Sequence, residues 1–228
     1  MRKPYRKRRP EDVIIHCFIF NYQRKDMLLA LLCELKAVRN LTYTIIDDGS
    51  DYCLNESNMI RFPHEGKQGY WKRWDSALAM AKHMRHVDMF VFLPNDFSRI
   101  NIQAMIKHHL RFCTRDYAYN IINDGRTQSW NKVELRKIDA DTNRVGFCDC
   151  GFFCNYNALY KIGFHMTPVG EEQFFKPENS SGVGKQLTRR MIKNKVTMYL
   201  PTKSMAYHGD HPSVMHPEHR KQTPLISR

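Results

Sequence analysis

The chain has 228 residues, 42% of them hydrophobic, enough for the core of one α/β domain, and no apolar run reaches the ~20 residues of a membrane-spanning helix. Lys and Arg number 36 against 23 Asp and Glu, a formal charge of +13 that implies a polyanionic partner, either nucleic acid or an anionic membrane face. Seven cysteines, an odd number at scattered positions, read as reduced and mostly buried thiols, and the basic start lacks an apolar segment of signal-peptide type, so a cytoplasmic protein is expected.

Residues 1–11, with Arg2, Lys3, Arg6, Lys7, Arg8 and Arg9, are too charged to pack and read as a disordered arm. Val13–Phe20 then reads as a buried strand that ends at Asn21-Tyr22-Gln23-Arg24, with His16 a core or edge histidine. Asp26 is placed to cap an amphipathic helix from Met27 to about Val38, which returns the chain to a second strand and completes one βαβ unit. That strand holds the β-branched Thr44, Ile45 and Ile46 without alternation, as a strand covered on both faces does, and stops at Asp47-Asp48-Gly49-Ser50.

A short strand follows at Met59–Phe62. Gly66-Lys67-Gln68-Gly69 opens a helix from Tyr70 to Met84, whose Trp71, Trp74, Leu78 and Ala81 share one side and belong to the core. A glycine turn before a helix exposes N–H groups that suit a diphosphate, with Lys67 as counter-charge. Met89–Leu93 is another apolar strand, ended by Pro94-Asn95-Asp96, whose oxygens suit a hard cation. If this strand and the Thr44 strand belong to one parallel sheet, both acidic ends lie on one edge, where open α/β sheets bind ligands.

The second half predicts a helix from Asn101 to about Arg111, a strand at Tyr117–Ile122 and a partly alternating segment from Arg144 to Cys154. Cys148, Cys150 and Cys154 lack paired Cys-x-x-Cys spacing and read as structural thiols rather than a zinc site. A short helix with a stop at Gly163 comes next, and then a basic helix to about Asn194, capped by Ser180 or Ser181. Val196–Pro201 is the last strand. Of the four histidines in the tail from Ala206 to Arg220, at least one is expected to act as a metal ligand folded over the site.

The succession Phe20-Asn21-Tyr22-Gln23-Arg24, Ile45-Ile46-Asp47-Asp48-Gly49-Ser50, Gly66-Lys67-Gln68-Gly69 and Phe92-Leu93-Pro94-Asn95-Asp96 resembles the motifs of GT-A nucleotide-sugar glycosyltransferases of the family-two kind. The resemblance spans roughly residues 12 to 215. It implies an α/β, Rossmann-like GT-A fold: one domain over 12–228, with a nucleotide-sugar-binding half at 12–100 and an acceptor half with the tail at 101–228. It also implies a UDP-sugar donor and a divalent cation, manganese or magnesium.

Position by position, Asn21, Gln23, Arg24, Asp47, Asp48, Gly66, Lys67 and Asn95 would bind the nucleotide sugar, with Asp47 and Asp48 at the base and ribose. Asp96 and His208 would hold the metal. Asn95-Asp96 stands where the family has Asp-x-Asp, so one acidic partner is missing. Inverting members carry an acidic base at the start of the helix that here begins near Ser180-Ser181-Gly182, where this chain has none. Asp149, Glu171, Glu172 and Glu178 are the remaining candidates, and a retaining reaction would need no dedicated base.

The basic arm and helices make the protein similar to compact glycosyltransferases, including bacteriophage ones, that modify hydroxymethylated pyrimidines in DNA. A DNA acceptor is therefore expected, with Arg189, Arg190 and Lys193 at the nucleic acid, the base flipped outward, and the host cytoplasm as location if the protein is viral. Two alternatives are transfer to a lipid-linked or surface glycan and an inactive nucleic-acid-binding module on the same scaffold.

Overall fold

The computed structural model describes residues 8–123, 135–166 and 182–208. Nine strands form one sheet in the order β3-β2-β1-β4-β9-β6-β10-β8-β7. Its first part is parallel: β3 (Met59–Arg61), β2 (Leu41–Asp47), β1 (Ile15–Asn21) and β4 (Met89–Pro94) run the same way. The register places Asn21 beside Asp47, and Phe20 beside Pro94, so these strands end together.

β9 (Phe152–Asn155) runs against both β4 and β6 (Tyr117–Asn120), which therefore point alike. β10 (Thr197–Pro201) is parallel to β6, while β8 (Thr142–Val145) and the two-residue β7 (Arg136–Lys137) finish the sheet antiparallel. Reversal of β9 has a functional consequence. It brings the start of that strand, and the residues just before it, to the edge where β1, β2, β4 and β6 end. A separate two-stranded sheet, β5 (Phe97–Ser98) with β11 (Tyr207–His208), lies beyond β4 and ties the end of the described chain to the same edge.

Helices cover both faces. Leu28, Leu31, Leu32 and Leu35 of α1 (Lys25–Lys36), and Met105, Ile106 and Phe112 of α3 (Ile102–Phe112), pack with Ile15, Cys17 and Ile19. On the other face Trp74 and Leu78 of α2 (Lys67–Ala81), Leu159 of α4 (Tyr156–Lys161) and Leu187 and Met191 of α5 (Gly182–Lys193) meet Phe18, Phe20 and Phe92. Trp74 stacks on Phe20 at 4.1 Å and on Phe92 at 5.4 Å, so it is core, as its spacing predicts.

Three expectations need correction. Asp26 is not the cap of α1. The cap position is Arg24, left-handed at φ 62°, and Asp26 falls in the first helical turn, where its charge suits the dipole. The segment Arg144–Cys154 is not one element. It supplies the end of β8 and most of β9, with Gly151 between them pressed so close to Phe97 that a Cβ would stand 2.5 Å from the ring. The first strand and its helix also begin and end a residue or two away from the predicted limits, since α1 stops at Lys36. By contrast Asn101 caps α3 and Asn155 caps α4 through side-chain oxygens that accept from Ala104 and Ala158. Ser180, Ser181 and the residues after His208 lie outside the described chain.

Candidate active site at the carboxyl edge of the sheet

Asp47 ends β2 with no exposed surface. Its Oδ1 accepts from Asn21 Nδ2 at 2.5 Å and Ser50 Oγ at 2.6 Å, and its Oδ2 from Ser50 N at 3.1 Å and Arg61 Nε at 2.9 Å. A carboxylate offers about four lone-pair sites, so all are used inside the protein. Asn95 is likewise turned inward: its Nδ2 donates to Asn21 Oδ1 at 2.7 Å and to the Gln23 carbonyl at 3.1 Å. The Tyr52 hydroxyl bonds to Asn21 and to Gln23 O. Asn21, Asp47, Asn95, Ser50 and Tyr52 thus form one network that fixes the ends of β1, β2 and β4 relative to each other.

That network also holds the turn that follows β1. Gln23 and Arg24 both adopt positive φ, 54° and 62°, an arrangement that costs ordinary residues energy, and Gln23 N donates to Ser50 Oγ at 2.8 Å. The turn aims Arg24 across the edge, where its Nη1 meets Asp96 Oδ2 at 2.7 Å.

Asp48 sits one residue beyond the network. Arg73 Nε of α2 reaches its Oδ1 at 2.6 Å, and His64 Nδ1 stands 3.0 Å from its Oδ2. Arg73 is itself buried, with Phe62 below its guanidinium at 4.6 Å. His64 is exposed and stacks face to face on Tyr22, ring centroids 4.3 Å apart and nearly coplanar at 6°. Gly49 permits this approach, because at φ +73° a Cβ would stand 2.6 Å from His64 N. Gly66, at φ +62°, precedes α2, and Gly69 packs against Arg73 and Asp48. The side chain of Lys67 lies outside the described residues.

Asp96 follows β4 and meets His208 of β11, Nε2 to Oδ2 at 3.3 Å. Burial opposes ionisation of Asp96, yet the hydrogen bond and charge of His208 and the charge of Arg24 bring it down to about 2. Phe97 packs edge-on against the His208 imidazole at 5.4 Å, so the β5–β11 pair positions that ring.

Asp149 reaches the same edge from the other side. Its N–H donates to Asn120 Oδ1 at 2.7 Å, and the Asn120 amide donates to the carbonyls of Phe147 and Tyr199, so a buried asparagine at the end of β6 holds the loop. Thr188 of α5 bonds to both the N–H and the carbonyl of Cys148, and Gly184 lets the helix start close to Asp149. Burial raises the Tyr70 hydroxyl and the Cys150 thiol, and the charges of Asp96 and Asp149 both push the same two groups up. The two carboxylates therefore share one electrostatic neighbourhood.

The structure thus brings Asp48, Asp96, His208 and Asp149 to one edge, with Asn21, Asp47 and Asn95 as their frame. Glu171 and Glu172 lie outside the described residues. Arg189 and Lys193 are exposed on α5, but Arg190 is engaged with Ile162 O at 2.9 Å and with His165. Cys148 and Cys154 are buried thiols, and among the described residues no three His, Cys, Asp or Glu gather as a metal cluster. Sequence reasoning missed His64, Tyr22, Arg73 and Asn120. Tyr22 sits directly after the first strand, a signal that was available; His64, Arg73 and Asn120 are 16, 25 and 29 residues from their site partners and carry no local signature.

No protein-family model and no curated protein sequence matches the chain. Among solved structures it is similar to A197 from STIV, with a TM-score of 0.52 and 17% identity over 86% of each chain. At that identity the likeness speaks for the fold alone, a single Rossmann-like α/β domain with a mixed sheet, and not for the chemistry. Among the described residues no helix is long and apolar enough to cross a membrane.

Proposed function

We propose that the protein is a glycosyltransferase that moves a sugar from a nucleotide-diphosphate donor to a hydroxyl group of DNA. The observation that carries this reading is the convergence of Asp48, Asp96, His208 and Asp149 on the carboxyl edge of a Rossmann-like sheet. That edge is where such sheets take nucleotides.

Asp48, fixed by Arg73, and the Tyr22–His64 stack form a charged and aromatic wall suited to a nucleoside. A divalent cation fits at Asp96 and His208, since a carboxylate and an imidazole within 3.3 Å leave the remaining positions to diphosphate oxygens and water. Manganese or magnesium there would offset the charge of the departing diphosphate. Arg24, on the same Asp96 oxygen, competes for that position and is at hand for a diphosphate.

The acceptor hydroxyl oxygen bonds to the anomeric carbon as the carbon–oxygen bond to the diphosphate breaks and that oxygen keeps the electron pair. Asp149 receives the hydroxyl proton. The DNA acceptor rests on the formal charge of +13 and on a strongly basic α5.

A donor screen with manganese and hydroxymethylated DNA tests the reading. Sugar mass added to DNA is expected with wild type and not with Asp96→Ala. Nucleotide release without DNA modification overturns the acceptor, and no processing of any nucleotide sugar overturns the activity.

A further inference from the structure

Away from that edge, a groove of about 830 Å³ opens beside the amino end of β10. Arg136, Arg144 and Lys195 line it, Ile192 and Met198 belong to its apolar floor, and among the described residues that line it none is a carboxylate. All three cations are exposed, and Ile192 is the most exposed large apolar residue described, at 58%. Asp116, whose carbonyl accepts from Thr197 at the amino end of β10, has its carboxylate paired with Lys161 at 2.7 Å.

α5 links this groove to the candidate active site. Its first turn abuts Asp149 through Gly184, and its last leads into Ile192 and Lys195. Lys185, Arg189 and Lys193 recur every fourth residue along it, one face of a helix, and all three are exposed. From Gly184 to Lys193 the helix rises ~1.5 Å per residue, so this stretch of the track is roughly 14 Å long.

We infer that the groove and this stripe form one track for a single nucleic-acid strand, which leads the acceptor to Asp149. Phosphates lie against the cations while sugars and unpaired bases meet Ile192 and Met198. A concave trough with charged rims receives a strand; a flat bilayer surface does not enter it. The inference rests on the DNA part of the proposed function and extends it to a surface distant from the transfer site.

The test is titration of a labelled single-stranded oligonucleotide across a salt series with wild type, R136Q/R144Q/K195Q, the charge-keeping R136K/R144K/K195R, and a control, K25Q/K82Q/K203Q, whose three lysines are exposed elsewhere. Losing three phosphate contacts should lower the slope of log affinity against log salt by about 2, and weaken binding at least roughly tenfold at physiological salt. The charge-keeping and control variants should bind like wild type. Unchanged affinity and slope in R136Q/R144Q/K195Q overturn the track. So does an equal loss in the control. Nucleotide release from the sugar donor without DNA, measured on the same variants, should be unaffected; if wild type itself releases none, the transferase reading fails while the binding result still decides the track.

Discussion

Asp47 closes β2 and Asp96 follows β4 on the same edge of the sheet, yet their surroundings differ in kind. Asp47 spends its oxygens on Asn21, Ser50 and Arg61 inside the protein. Asp96 meets side chains from two other segments, Arg24 at 2.7 Å and His208 at 3.3 Å. A carboxylate surrounded by fixed neutral donors and one guanidinium serves as a joint. One held by an arginine and a histidine across a gap between segments can exchange those partners for a ligand. The same strand-end pattern in sequence therefore covers two roles, and the partners decide between them.

If this division is right, sealed groups should govern stability and presented ones chemistry. Asp47→Ala strands Asn21, Ser50 and Arg61 around a lost charge and should cost about 4 kcal/mol in urea denaturation. A loss below about 1 kcal/mol would show that the network is not a joint. His16 is a second sealed group, its ring between the Thr42 and Thr44 hydroxyls at 2.8 and 3.1 Å.

Burial, and to a lesser degree the charge of His86, brings His16 from 6.5 down to about 4. The folded state thus favours neutral imidazole. Its contribution is complete above about pH 6.5 and is lost as pH falls towards 4, up to about 3 kcal/mol. His16→Gln should flatten the pH dependence of stability in that window, and an unchanged profile would remove His16 as its source.

Asp96→Ala should do the opposite of Asp47→Ala: stability within about 1 kcal/mol of wild type and sugar transfer down by about a hundredfold or more. Unfolding of that variant would erase the contrast. Gly49→Ala should fall between the two classes. A left-handed Cβ pressed on His64 N costs about 2 kcal/mol and pushes His64 off Tyr22, so stability and nucleotide affinity should drop together. A variant with normal nucleotide binding would show that the stacked pair is not part of the site.

Much of the fold was legible because its strands are apolar without alternation. Ile15–Phe20, Ile45–Ile46 and Met89–Leu93 read directly as buried parallel strands, and their acidic ends follow from the parallel pairing. β5, β7 and β11 were not read, since two residues set no period and exist only through their partners. Asp26 misled because a good capping residue lay two positions past the real cap, Arg24, whose left-handed backbone no sequence pattern announces. In the site, strand ends revealed Asp48 and Asp96. Asp149 could not be ranked from sequence because its place depends on β9 running antiparallel and on Asn120, partners that no local pattern announces.

The most direct measurement of the central claim is calorimetric titration of uridine diphosphate into wild type, Asp96→Asn and His208→Ala, each with and without manganese. Wild type should bind more tightly with manganese, and both variants should lose that tightening while Asp48 still supports weak binding. Equal affinity in all three proteins, with or without manganese, would contradict it.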